Sequence, residues 1–125
     1  YEIPKPSIAY IVAATIKEQG IETAVAEYKS LKQNNSNDYD FSESQLNGLG
    51  YQYLEAPDYQ PAIAIFRLNV QSYPDSANAH DSLGEALIAA GKQSFHQALK
   101  LNPGNQAARK VLESLGEDLP DPESD

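Results

Sequence analysis

Apolar residues recur along this 125-residue chain at helical spacing almost from end to end. SIAYIVAATIKEQ reads as one helix, with Ser7 as N-cap and Gly20 at its end. IETAVAEYKSLKQ follows at once, with Ala24, Tyr28 and Leu31 stacked on one face. After the polar break NNSNDYD, SESQLNGLGYQYLEA restarts helix, and Ser42 with Gln45 has the spacing of a capping box. In DYQPAIAIFRLNVQS, Asp58 is placed as N-cap, and Pro61 falls in the first turn, where a missing N–H is tolerated. SYPDS breaks the chain again before a fifth helix, SANAHDSLGEALIAA; Gly91 then begins a turn to a shorter helix from about Gln93 to Leu101. NPG ends that helix, and NQAARKVLESL is the last. No segment alternates strictly or clusters β-branched residues, so no strand is expected and the fold class is all-α.

Short helices in pairs, separated by polar breaks, invite a search for internal periodicity. LNGLGYQYLEA (46–56) lies over HDSLGEALIAA (80–90), with Gly50 and Gly84 exactly in step 34 residues apart. Leu46, Leu49, Gly50, Tyr53, Tyr59, Ala62, Phe66 and Pro74 mark the middle unit. His80, Leu83, Gly84 and Leu87 mark the next first helix, and Phe95, Ala98 and Pro103 the end of its partner. This pattern resembles the tetratricopeptide repeat (TPR) family. The resemblance implies a right-handed superhelix of about three antiparallel helix pairs, with 104–116 as a capping helix. The units are 7–40, 42–74 and 76–103, the third about five residues short and the first degenerate. Residues 1–6, with Pro4 and Pro6, form an extended linker. In this frame Gly84 repeats the role of Gly50, leaving room for a paired helix.

A second resemblance spans nearly the whole chain. YEIPKPS, IKEQGIETAVAEY and FRLNVQSYPDSANAHDSLGEA look like the C-terminal repeat region of bacterial serine hydrolases of the β-lactamase-related and esterase type. It implies a bacterial parent, extracytoplasmic before cytoplasmic, with its catalytic domain upstream; the absence of methionine fits a fragment of a longer protein.

Composition narrows the function classes. Hydrophobic residues at 41% are too many for a disordered chain, and no apolar run reaches bilayer-spanning length. A net charge of -9 argues against nucleic acid and anionic membrane. Much of that charge lies in 117–125, EDLPDPESD, read as a solvated, disordered tail, with an interaction tail as the alternative. Without cysteine there is neither a disulfide nor a thiolate metal site.

Candidate chemistry is sparse. His80, Asp81 and Ser82 have the letters of a triad, but neighbours on a helix point about 100° apart, which separates them. His80 belongs instead to the Leu83/Leu87 packing stripe. Neither G-x-S-x-G nor S-x-x-K is present. DYDFSE gathers Asp38, Asp40, Ser42 and Glu43, but Glu43 stands where a calcium loop needs glycine. His96 has no second histidine at ligand spacing. No catalytic residue, metal or cofactor is assigned.

What the TPR resemblance offers is a groove lined by the first helix of each pair. It would show Ala9, Ala13, Ile16 and Lys17, then Asn47, Tyr51, Leu54 and Glu55, then Asn78, Asp81, Glu85 and Ile88. The assigned partner-binding residues are Asn47, Tyr51, Glu55, Asn78, Asp81, Glu85 and Ile88. Members of the family that clamp a peptide carboxylate use lysine and arginine here, and this face offers only Lys17. The expected partner is therefore a basic or amide-bearing protein segment. The alternatives are a solvated face, or a structural or dimerising accessory domain with no free ligand.

Overall fold

A computed structural model describes residues 3–121. Among these, the order is α1 (Ile8–Gln19), α2 (Ile21–Asn34), α3 (Glu43–Glu55), α4 (Tyr59–Ser72), α5 (Ala77–Leu101) and α6 (Gln106–Ser114). The fold is all-α, as the periodicity requires. The chain divides into two compact units, one ending at Ala86 and one beginning at Leu87.

In the first unit, local signals set the helix ends. Ser7 Oγ accepts the Ala9 N–H at 3.1 Å, and Gly20, at φ 93°, lets α2 start directly where α1 stops. A side chain at that φ would be strained. Pro61 sits in the first turn of α4, as read from the sequence. The capping box does not close: Ser42 N–H donates to Asp40 Oδ1 at 2.9 Å, and Gln45 Nε2 reaches Ser42 Oγ at 3.3 Å. Asp58 occupies the N-cap position without a side-chain cap bond.

α1 packs on α2 and α3 on α4, and the pairs pack as α1 on α3 and α2 on α4. Ile8, Val12, Ala24, Tyr28, Leu46, Leu49, Ile65 and Leu68 form the main core. Tyr28 is buried against Phe41, edge to face at 5.6 Å, with its hydroxyl 3.0 Å from Ser72 Oγ. A second cluster centres on Ala62, Phe66 and Ala86, joined by Tyr51, Tyr53, Leu54, Ile63 and Leu83. Gly50 is where a side chain is forbidden: a Cβ there would meet the Phe66 ring, with Cδ1 and Cζ only 2.6 Å away. The linker is pinned to the inter-pair loop. Asp40 N–H donates to the Pro6 carbonyl at 2.8 Å and Ile8 N–H to the Asp40 carbonyl at 3.1 Å.

Beyond α4 the structure corrects the sequence reading. No turn occurs at Gly91, and the third expected pair is a single 25-residue helix, about 37 Å long at 1.5 Å per residue. One glycine costs about 1 kcal/mol in a helix interior, too little to stop a run of alanine, leucine, lysine and glutamine. Its face is also rotated from the expected one. Ala79, Ser82 and Ala86 are buried, Leu83 is half-buried, and His80 and Leu87 are exposed. His80 Nε2 pairs with the Pro74 carbonyl at 2.8 Å instead of packing between helices. Around Gly84 a Cβ would meet nothing within 4 Å, so it makes no close approach of the Gly50 kind.

In the second unit, α6 buries Ala108 and Leu112, and Asn105 caps it by accepting the Ala108 N–H at 3.0 Å. Residues 117–121, expected as disordered tail, turn back along this unit. Glu117 Oε1 lies 3.2 Å from His96 Nε2, and Arg109 Nη2 donates to the Pro120 carbonyl at 2.8 Å. Glu123 and Asp125 of that tail, like Tyr1, lie outside the described residues.

Candidate interaction face

The expected groove residues divide into three groups. Asn47, Tyr51 and Glu85 come together through a residue the sequence reading set aside, Ser82. The fully buried Ser82 Oγ donates to Asn47 Oδ1 at 2.8 Å and lies 3.1 Å from the Tyr51 hydroxyl. Tyr51 donates to Glu85 Oε2 at 2.8 Å. Tyr51 and Glu85 are 34 residues apart, so equivalent positions of the two aligned segments touch. Glu55, Asn78 and Asp81 are exposed and outside this set of bonds. Ile88, half exposed, belongs to the second unit.

The network ties α3 to the start of α5 through polar contacts. Tyr51 also packs edge to face on Phe66, ring centroids 5.1 Å apart, which fixes the ring that carries the hydroxyl. The Ser82 bond lowers the Tyr51 pKa, but the Glu85 bond, burial and the charges of Glu85 and Asp81 outweigh it. The net shift is upward, so the phenol stays a neutral donor. His80 and Ser82, adjacent in sequence, engage different partners, Pro74 on one side and Asn47 with Tyr51 on the other. The acidic residues of DYDFSE also diverge. Asp38 accepts from Asn35, Asp40 from the Ser42 N–H, and Glu43 from the Ser76 hydroxyl. Among the described residues no three His, Asp or Glu side chains converge as a metal site would require.

Beside this network lies an open groove between α1 and α3, with a volume of about 410 Å³. Ala9, Ala13, Gly48 and Leu49 line it with small or apolar groups, and Ser44, Gln45, Gln52 and the 78% exposed Tyr10 supply polar ones. Of these only Ala9 and Ala13 were placed on the groove by sequence. Gln45, Gly48 and Gln52 recur along α3 at helical spacing, a pattern visible in the sequence but overshadowed by the family's groove positions. Comparison of the chain with family models, curated proteins and solved structures gave no match. Among the described residues no helix is long and apolar enough to cross a membrane.

Proposed function

We propose that this chain is a non-catalytic interaction module that binds an extended protein segment along the open face of α1 and α3. The supporting observation is the α1–α3 groove: small side chains let a peptide backbone approach, Gln52 offers both donor and acceptor groups, and Gln45, whose Nε2 is bonded to Ser42 and Ser44, offers its carbonyl oxygen. Glu55, Asp81 and Glu85 make the neighbouring surface acidic, and that selects a basic or amide-bearing segment. Lys17 alone does not hold a terminal carboxylate. The TPR-like superhelix, the bacterial and extracytoplasmic parent and the upstream hydrolase belong to the same proposal and rest on the resemblances read in the sequence.

The test is a chemical-shift titration with two synthetic peptides of equal length, one lysine-bearing and one ending in acids. The lysine-bearing peptide shifts the amides of Gln45, Gly48, Tyr51 and Gln52. Gly48→Leu, which fills the groove, abolishes those shifts, and Glu85→Ala weakens them. Micromolar binding of the acid-ended peptide, or silence with both, contradicts the proposal.

A further inference from the structure

The fused helix α5 carries both halves of a helix pair with the turn left out. Leu83, Gly84 and Leu87 fall 34 residues after Leu49, Gly50 and Tyr53, in the first helix of the preceding pair. Gly91, Phe95 and Pro103 fall only 29 residues after Ala62, Phe66 and Pro74, in its second helix. Transferring the ends of α3 and α4 by these offsets makes the first helix finish at position 89 and the second begin at 88. No residue remains for a turn, so the two halves continue as one helix.

The first half is consequently left without its cover. Gly50 is filled by the Phe66 ring, whereas Gly84 faces empty space. Leu87 and Ile88 are 42% and 50% exposed. The covering sequence exists, around Phe95, but positions 84 and 95 of one helix are about 16 Å apart along its axis. Phe95 therefore cannot reach Gly84 of its own chain.

We infer that two copies of this chain exchange the segment from Ala90 onward. The second half of α5 from each copy packs antiparallel on the first half of the other. Setting Gly84 opposite the second copy's Phe95, as Gly50 is opposite Phe66, puts the two-fold axis between Ala89 and Ala90. Small side chains at that crossing, Ala89, Ala90 and Gly91, let the helices approach closely. Charge agrees with the pairing. The first half of α5 carries Asp81 and Glu85 with no lysine or arginine, and the second carries Lys92 and Lys100 with no acid. Antiparallel association sets the basic half beside the acidic one, and the contact is self-complementary, as a two-fold interface must be. The residues that exchange lie within the compact unit that begins at Leu87. This pairing is independent of the α1–α3 groove.

Light scattering on size-exclusion fractions of the full chain gives twice the chain mass of 13.7 kDa. Inserting a five-residue turn between Ala90 and Gly91 restores the 34-residue register, lets Phe95 fold back on its own chain, and halves the mass with helicity retained. Because the chain has no cysteine, Gly84→Cys and Phe95→Cys chains can be mixed and treated with a short bismaleimide. The mixture gives a crosslink between the two different chains. A monomer at every concentration from micromolar to millimolar overturns the inference. So does an insertion variant as dimeric as the parent, or a dimer in which positions 84 and 95 of different chains do not crosslink.

Discussion

Replacing Gly50 by alanine probes the close approach of α3 to Phe66, and Gly48, two residues away on α3, is its control. The added Cβ at 50 would lie 2.6 Å from Phe66 Cδ1 and Cζ, about 1 Å inside ordinary carbon–carbon contact. Phe66 is fully buried, and its ring is held against Tyr51, so it has little freedom to withdraw. Overpacking of this kind costs about 3 kcal/mol, and the gain in helix propensity returns about 1 kcal/mol. The expected net loss is about 2 kcal/mol, roughly 8 °C in Tm for a domain of this size. At Gly48 nothing lies within 4 Å, so alanine there stabilises by about 1 kcal/mol, roughly 4 °C. Urea denaturation followed by far-ultraviolet circular dichroism reads both signs. Phe66→Leu should partly rescue Gly50→Ala, since the two sites share one contact. A Gly50→Ala variant as stable as the parent would refute the packing argument. Equal shifts for Gly48→Ala and Gly50→Ala would do the same.

Two further outcomes follow from the hydrogen-bonded groups. Ser82→Ala removes a fully buried hydroxyl that serves Asn47 and Tyr51, and it should cost about 1–2 kcal/mol in urea denaturation; a neutral result contradicts the network. Tyr28 and Tyr53 have raised pKa values because burial opposes the phenolate, and Tyr51 is raised by the net of its contacts despite the Ser82 bond. A folded pKa above the unfolded value means that this stabilisation is complete below the ordinary value of 10.0 and fades as pH rises through the folded values. Unfolding free energy should therefore drop above that pH in step with phenolate absorbance, and less so in Tyr28→Phe; stability unchanged through phenolate formation contradicts the assignment.

The helices of the first unit were legible because short-range rules fix them. Ser7 caps, Gly20 takes a positive φ, Pro61 sits in the first turn, and the buried stripes of α1 to α4 follow the 3.6-residue period. Gly50 was legible from the repeat, because the partner it admits, Phe66, lies at the expected distance along the chain. The same logic failed at Gly84 and Gly91. Whether a glycine lines a contact or ends a helix depends on what covers it; nothing lies within 4 Å of a Cβ at Gly84, and α5 continues through Gly91. Ser82 was missed for a related reason. An apolar stripe drawn through Leu83 and Leu87 puts a serine outside the core, whereas α5 turns its Ala79, Ser82 and Ala86 face inward. The α1 wall of the groove, Ala9 and Ala13, was legible, but its α3 wall was placed on Asn47 and Tyr51 instead of Gln45, Gly48 and Gln52, because the family's groove positions overshadowed that spacing.

What most sets this chain apart is that α5 runs unbroken through Gly91. Residue-resolved amide hydrogen exchange of the full chain tests this directly, and helical carbon shifts read on the same sample give the local conformation. The unbroken helix predicts slowed exchange and helical shifts at Ala89, Ala90, Gly91 and Lys92, continuous with Ala86 and Phe95. Fast exchange and non-helical shifts confined to those four residues would show a hairpin turn and contradict it.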